Sequence, residues 1–455
     1  MSGQHARDAA GGTADGRVIP TDQVTEDART IPVYGEFDVV VCGGGVAGVA
    51  AAACAARCGA SVILLERYGY LGGLATGGLV ITVPPLDNGF NGEVRLRLEE
   101  ARTYQECANS GDDPSVDGLI AVDPEILKFE LLTLLLDSGA RLLLHTAVVG
   151  SLTDDGRVTG VIVESKAGRS AIRAGVVIDT TGDGDLAAVA GAAFETDRRP
   201  LPVTLMSTVV GVDTERALAQ LGNWGRLRAL VEAAVTAGDL EFDLEVHSKE
   251  WAPGVFAAEL CYPGQINLWS GSMFGVDGID PDDLTKAEIV TRQHTMKLVT
   301  FLRQKLDGFQ AARLECTAAQ VGVRGTRRIT GLASPALKEV FATPFPDTVA
   351  KPYVRRSMRI PYRSLVPRDV DGLLFAGRCL SAEADAMVQL RLIPVCFATG
   401  QAAGTAAALA VRAGRAPREL DVALVQDNLQ SQGMELGLSG AVGDDLAAGV
   451  VGEQS

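Results

Sequence analysis

Several features that define other classes of protein are missing from this chain of 455 residues. Its eight cysteines form neither a Cys-x-x-Cys pair nor a cluster with metal-ligand spacing, so no metal site is predicted. It contains no run of about 18 apolar residues, so no membrane span is predicted. Positive charge is scarce, and the net charge of −16 argues against nucleic acid or an anionic membrane as the main partner.

The composition that remains is that of a globular protein long enough for two or three domains. Residues 1–35 are rich in Gly, Ala, Asp and Thr and lack an apolar core. They are predicted to form a flexible tail and not a signal peptide, so we expect a cytoplasmic protein. The sequence does not indicate an oligomeric state.

The most informative motif lies near the N-terminus. An apolar run leads into Gly43-x-Gly45-x-x-Gly48, an Ala-rich helical segment follows, and a second apolar run ends at Glu66. This order predicts a βαβ dinucleotide-binding unit. Gly43 would permit the tight turn, Gly45 would let a pyrophosphate approach the backbone, and Gly48 would let the helix pack close to the sheet. Glu66 can accept ribose hydroxyls and would repel a 2′-phosphate.

The alternation of strand and helix patterns is interrupted after the first 200 residues and returns later in the chain. Turn signals near Gly156 and Gly168 predict a β-meander, whereas residues 201–350 lack the βαβ pattern and hold all three tryptophans. The predicted fold class is α/β: a Rossmann-like domain, with a parallel sheet and a β-meander, that carries an inserted α+β cap domain. The predicted segments are an N-terminal tail (1–35), the first part of the nucleotide-binding domain (36–200), the cap (201–350), its second part (351–437) and a C-terminal tail (438–455).

Together these segments resemble the FAD-dependent oxidoreductases of the two-dinucleotide-binding-domain flavoproteins. The resemblance covers residues 36–200 and 355–435, with a short match at 321–331. Its motifs occur in a characteristic order: GxGxxG with Glu66, then a Thr-Gly-Asp strand end, then Ala-Gly-Arg and Gly-Gln-Ala-Ala-Gly near the C-terminus. The nearest named members are the fumarate reductase and succinate dehydrogenase flavoproteins.

The resemblance implies a set of FAD contacts. It places the adenosine ribose at Glu66, the adenine end beside Arg67 and Val148, and the flavin carbonyl edge at a helix that begins near Gly400. The implied cofactor-binding residues are Gly43, Gly45, Gly48, Glu66, Arg67, Gly72, Gly73, Thr76, Gly77, Gly78, Val148, Asp183, Gly377, Arg378, Gly400, Gln401, Ala402 and Ala403.

Two departures from the resemblance are informative. Relatives in the fumarate reductase group often carry a histidine in the glycine-rich loop that bonds covalently to the flavin, but here the loop reads Leu74-Ala-Thr-Gly-Gly78. We therefore expect FAD to be bound non-covalently. Histidines that often follow Ala-Gly-Arg are also missing between Ser381 and Arg391, which argues against a dicarboxylate-reducing chemistry.

Four residues are candidates for the reacting end of the site. Arg391 lies in an apolar run, where a guanidinium needs a partner, either FAD, Asp385 or an anionic substrate. Asp385 could also serve as the base. Arg327 belongs to an arginine cluster that is either an interdomain salt-bridge patch or a substrate anchor. His247 either faces the flavin or lies in a loop of the cap, and the other histidines are weaker candidates, with His294 expected at the surface.

The predicted activity is therefore that of an FAD-dependent oxidoreductase, which transfers a hydride between a small organic substrate and flavin N5. The alternatives are an FAD-dependent monooxygenase and a tRNA-modifying flavoprotein. The acidic charge and the lack of a basic C-terminal domain argue against the latter. The sequence does not indicate the substrate, the direction of the reaction or the electron donor or acceptor.

Overall fold

A computed structural model describes residues 24–109, 118–196, 201–246, 254–342 and 344–438. Within these ranges the strands are β1 (Val33–Cys42), β2 (Val62–Leu65), β3 (Thr82–Val83), β4 (Tyr104–Glu106), β5 (Ile120–Val122), β6 (Arg141–Leu143), β7 (Ala147–Asp154), β8 (Arg157–Ser165), β9 (Gly168–Asp179), β10 (Phe194–Thr196), β11 (Met206–Val210), β12 (Val255–Glu259), β13 (Ile266–Ser270), β14 (Arg313–Thr317), β15 (Arg327–Ile329), β16 (Thr348–Ala350), β17 (Ile360–Pro361) and β18 (Leu373–Phe375). The α-helices are α1 (Val46–Arg57), α2 (Phe90–Glu100), α3 (Pro124–Asp137), α4 (Asp185–Val189), α5 (Thr214–Leu221), α6 (Leu227–Ala237), α7 (Pro281–Lys305), α8 (Leu337–Ala342), α9 (Met387–Leu390), α10 (Ile393–Ala413) and α11 (Val422–Ser431).

A parallel sheet forms the centre of the larger part of the molecule. Its strands lie in the order β6-β2-β1-β9-β18, and every pair in this row is parallel. The last four residues of β1 and all of β2 are buried, as expected for strands covered on both faces. The predicted α/β class and Rossmann-like parallel sheet are confirmed.

The predicted β-meander joins the same sheet at β9. This strand is long enough to serve two partners along one edge: its first half pairs antiparallel with β8, and its last residues pair in parallel with β18. Strand β7 then pairs antiparallel with β8. Gly156 and Gly168 adopt positive φ angles of 73° and 94° in the connecting turns, which explains the glycines that the sequence places there.

Helices α1 and α10 pack directly against each other over the sheet. A Cβ atom on Gly400 would lie 2.2 Å from the carbonyl oxygen of Ala47, and one on Gly404 would lie 2.0 Å from that of Ala51. Glycine is therefore required at this crossing because the two backbones touch. By length and composition α10 could cross a membrane, but 94% of its apolar window is buried inside the protein, as in the core helix of a globular domain.

The region after residue 201 builds a second core. Strands β12-β13-β11-β14 form an antiparallel sheet, and α6 and α7 contact it. Trp224 is fully buried there, and its ring packs edge-on against Phe309. Antiparallel strands with helices segregated from them give the α+β character predicted for the cap.

Packing at the end of the cap bears on the predicted boundary at residue 350. Ile329, Val340 and Val349 are fully buried in the hydrophobic core of the parallel sheet, not in the core of the cap sheet. The backbone N–H of Ile329 also donates to Cys379. We therefore propose that the chain returns to the nucleotide-binding domain near β15, earlier than residue 351.

The contact between α1 and α10 generates a stability prediction. Gly404→Ala should lower the free energy of unfolding by about 1–3 kcal/mol, because the added methyl group must force two backbones apart. Gly92→Ala in α2 is the matched control: its Cβ would have no neighbour closer than 3.8 Å, so helix propensity should raise stability by about 0.5–1 kcal/mol. Thermal melting of both variants checks this, and equal melting temperatures would contradict it.

Candidate functional site

The glycine turn between β1 and α1 is built from tight backbone contacts. Gly43 has a φ of 105°, and a Cβ there would lie 2.5 Å from the Thr180 carbonyl oxygen. A Cβ on Gly48 would lie 1.8 Å from the carbonyl oxygen of Gly43, whereas one on Gly45 would meet nothing within 4 Å. The Thr180 hydroxyl fixes the turn by donating to the carbonyls of Cys42 and Gly43 at 2.9 and 2.8 Å.

The turn has the features expected of a phosphate-binding site. Gly45 lies at the N-terminus of α1, where free N–H groups and the helix dipole favour an anion. The open space above its Cα is where a pyrophosphate would approach. Gly43 and Gly48, by contrast, are needed for the turn itself, and the pyrophosphate contact of Gly45 stays a prediction.

Glu66 joins this turn to the rim of the cleft. One carboxylate oxygen accepts from the Gly44 N–H at 2.6 Å and the other from the Tyr68 N–H at 2.7 Å. Burial raises the pKa of Glu66, and these hydrogen bonds oppose that rise. The side chain also lines the cleft together with Arg67, whose guanidinium lies over the Tyr68 ring. Both predicted residues therefore line the cleft, and their contact with adenosine stays a prediction.

The second glycine-rich loop contributes only its first part to the cleft. Gly72 donates its N–H to the Gly44 carbonyl at 2.8 Å, and both Gly72 and Gly73 line the cleft. Thr76, Gly77 and Gly78 do not. The Thr76 hydroxyl donates to the Leu71 carbonyl at 2.6 Å, so this residue holds the shape of the loop. A Cβ on Gly77 would collide with the Tyr70 phenol, and one on Gly78 with the backbone of Leu74.

The cleft itself has a volume of about 650 Å³ and extends from the glycine turn to the start of α10. Residues of the cap contribute one wall. The predicted residues that line it are Gly43, Gly45, Glu66, Arg67, Gly72, Gly73, Val148, Asp183, Arg327, Gly377, Arg378 and Arg391. The lining residues from the cap include Ile279, Leu284, Glu288, Gln320, Val321 and Val323.

The helix predicted to begin near Gly400 begins seven residues earlier. Helix α10 starts at Ile393 with Pro394 in its first turn, a position that favours proline. Gly400, Ala402 and Ala403 are buried in the interior of the helix and do not line the cleft. Ile393 and Cys396 line it instead.

Gln401 has a structural role in place of the predicted cofactor contact. Its side-chain oxygen accepts from the Phe90 N–H at 2.9 Å, and its amide nitrogen donates to Gln432 at 3.1 Å. The residue is 1% exposed and connects α10 to the start of α2.

A network of ion pairs closes one side of the cleft. Asp183 accepts from the Arg378 guanidinium at 2.7 Å and from the Thr326 hydroxyl at 2.7 Å. Arg327 donates to the Asp183 carbonyl at 3.0 Å and to the Asp185 carboxylate at 2.9 Å. Both arginines are thus held by acidic partners, and the geometry favours the salt-bridge interpretation of Arg327 over substrate anchoring.

Two catalytic candidates are not placed in the cleft. Asp385 is exposed, and its carboxylate accepts from the Leu337 N–H at 3.2 Å, so it caps the start of α8 and forms no ion pair with Arg391. His247 lies outside the described residues, and its role stays a prediction. His294 was expected at the surface but is 3% exposed, because its ring packs edge-on against Phe242.

Several cleft residues were not among the predicted ones. Cys396 lies in the first turn of α10, and burial raises the pKa of its thiol to about 12, so the thiol stays protonated. Tyr68 donates its hydroxyl to Gln320 of the cap at 2.6 Å. Thr180 could have been found from its place in the Thr-Thr-Gly strand end, but the contacts from the cap are set by tertiary packing alone.

The comparisons with known proteins agree with this geometry. The family model for FAD dependent oxidoreductases matches residues 38–356 and 351–429, so the chain belongs to that family. It is an FAD-dependent enzyme, and its FAD is bound non-covalently. The narrower assignment to the fumarate reductase and succinate dehydrogenase group stays a prediction.

Individual relatives match smaller parts of the chain. A thiamine thiazole synthase from Methanococcus aeolicus is 33% identical over 159 residues, which are 32% of this chain and 55% of that protein. The tRNA-modifying enzyme MnmG from Desulfitobacterium hafniense is 32% identical over 145 residues, or 29% of this chain and 22% of that protein. A geranylgeranyl bacteriochlorophyll reductase-like structure from Thermoplasma acidophilum has a TM-score of 0.49 and 14% identity, with 87% and 83% of the two chains covered. The chain thus matches about half of the length of the thiamine thiazole synthase and about a fifth of the length of MnmG.

The glycine turn generates a prediction about FAD binding. Gly45→Val should lower the melting temperature of the apoprotein only slightly, since its Cβ would meet nothing within 4 Å and only the N-cap preference for glycine is lost, yet it should abolish FAD retention by filling the space above the turn. Gly48→Val is the comparison variant and should lower both stability and FAD content. Flavin absorbance per protein and apoprotein melting check this. Normal FAD content in Gly45→Val would contradict the assigned pyrophosphate position.

Proposed function

We propose that this FAD-dependent oxidoreductase transfers a hydride between a small organic substrate and flavin N5. The observation that carries the proposal is the shared lining of the cleft: the glycine turn and the start of α10 form one wall, and apolar cap residues such as Leu284 and Val323 form another. A chamber of this kind positions a small molecule beside a cofactor and keeps water away from it.

The residues at the two ends of the cleft fit FAD. Bound FAD supplies the two-electron carrier for the reaction. Glu66 and the N-terminus of α1 would hold its adenosine and pyrophosphate. The first turn of α10 would face the other end, where the free N–H groups of Ile393 and Val395 and the helix dipole stabilise negative charge.

The proton that accompanies the hydride needs a general acid or base beside the substrate. Among the described residues that line the cleft, every carboxylate is already engaged: Glu66 by the turn, Asp183 and Asp185 by arginines, and Glu288 by Arg292 and the Val321 N–H. None of them is free to act as a general base without breaking these bonds. His247 therefore stays the candidate acid or base.

The charge of the chain supports a small-molecule substrate over tRNA. The net charge of −16 opposes a polyanionic partner, and the segment shared with MnmG is 29% of this chain. For the same reason we propose a protein without a nucleic-acid partner. A cytoplasmic location stays a proposal that follows from composition.

The direct test is an anaerobic screen of the holoenzyme against a panel of organic metabolites, read as bleaching of the flavin band near its visible maximum. We expect at least one substrate to reduce the flavin, or to reoxidise chemically reduced enzyme, without oxygen. Product made in ¹⁸O₂ should contain no labelled oxygen. Turnover that requires oxygen and places ¹⁸O in the product would replace this proposal with a monooxygenase.

A further inference from the structure

We infer that Arg391 and Arg324 form an anion-binding site beside the reacting end of the cleft, and that it takes a carboxylate group of the substrate. This inference rests on the proposed function, because it names the substrate class of the same chamber. It depends on two guanidinium groups that reach the site from different parts of the chain, one from the segment before α10 and the other from the cap.

Arg391 is one of the two residues between α9 and α10, and it lines the cleft. Its Nε atom is buried and has no hydrogen-bond partner in the structure. Burial, followed by the nearby charge of Arg378, lowers the pKa of Arg391 to about 10. A buried N–H group that lacks an acceptor costs free energy, so a ligand that supplies acceptor oxygens to the partly buried Arg391 would be favoured here.

Arg324 approaches from the cap and is 7% exposed. Its guanidinium donates only to neutral oxygens, the Pro202 carbonyl and the Thr204 hydroxyl, the latter at 2.8 Å. Burial and then the positive charge of Arg391 lower the pKa of Arg324 to about 9. The neighbouring Val323 lines the cleft.

The local charge balance separates this pair from the other arginines of the cleft. Arg378 is neutralised by Asp183 and Arg327 by Asp185. No ion pair of Arg324 or Arg391 is found within the described part of the chain, and Asp385 caps α8 instead. The Cys396 thiol is protonated, so it supplies no negative charge. Arg324 is buried and Arg391 is partly buried at the cleft, so an external anion would compensate their charge.

A substrate carboxylate fits this site better than the phosphates of FAD. The pyrophosphate position is at the open face of Gly45 at the N-terminus of α1, whereas Arg391 lies directly before α10. Guanidinium groups bind a carboxylate through two parallel N–H···O bonds, which also fixes the orientation of the molecule that carries it. The site would therefore present a neighbouring C–H or C=C bond of the substrate to the flavin.

Binding of benzoate and benzamide to the oxidised holoenzyme tests the inference without turnover. The two probes share their shape, and only benzoate carries a negative charge. Titration followed by the shift of the flavin spectrum and by calorimetry should give at least about tenfold tighter binding of benzoate. Arg391→Gln and Arg324→Gln should each weaken benzoate about tenfold or more, with a smaller loss in Arg391→Lys, while FAD content stays full.

Arg57→Gln is the matched control because Arg57 pairs with Glu93 on the outside of α1, away from the cleft. It should bind benzoate like the native protein. Equal affinity for benzoate and benzamide in the native holoenzyme, or no binding of either, would overturn the inference even if a variant failed to fold. Full FAD content with unchanged benzoate affinity in Arg391→Gln would overturn it as well. Selective benzoate binding in an enzyme that no metabolite reduces would retain the anion site and reject the hydride-transfer proposal.

Discussion

The close approach of α1 to its neighbours is the constraint on which the rest of the structure depends. On one side Gly48 places the start of α1 against the Gly43 carbonyl, and on the other Gly400 and Gly404 let α10 touch the α1 backbone. Both helices therefore take fixed positions over the parallel sheet. Because each of them presents its N-terminus to the same cleft, one packing contact sets the separation between the two positive helix ends.

The electrostatics of the cleft follow from this arrangement. Anionic groups are favoured at both helix N-termini, and Glu66 supplies a carboxylate that accepts from the Gly44 N–H of the turn and from the Tyr68 N–H. The other acidic side chains of the cleft form ion pairs with Arg378, Arg327 and Arg292. The end of the cleft at the start of α10 thus keeps the positive charge of Arg391 in a protein that is strongly negative overall.

The parts of this account that the sequence could predict are those governed by local rules. The glycine spacing at residues 43–48 predicts the turn because its geometry depends on contacts between residues close together in the chain. In the same way, the position of Asp123 before Pro124 indicates a helix N-cap, and Asp123 does cap α3. The predicted start of α10 near Gly400 was wrong because two sequence signals for a helix N-terminus lie close together. Thr399 resembles an N-cap, but Pro394 marks the true first turn, and Gly400 serves helix packing instead.

Long-range partners could not be predicted in this way. Whether Arg391 meets Asp385 depends on where α8 packs, and the structure places the Asp385 carboxylate at the N-terminus of that helix. Likewise Gln401 was assigned to the cofactor from its motif. Its side chain instead bonds to Phe90, which is 311 positions away in the chain, and to Gln432, which is 31 positions away. Such pairs are decided by the packing of whole elements, which no local pattern encodes.

A structure of the holoprotein with FAD tests the central claim most directly, namely that one cleft runs from the glycine turn to the first turn of α10. We expect the pyrophosphate over Gly45, the adenosine ribose at Glu66, and the flavin carbonyl edge within hydrogen-bond distance of the N–H groups of Ile393 and Val395. An isoalloxazine ring bound away from the first turn of α10, or a ribose that does not contact Glu66, would contradict this account.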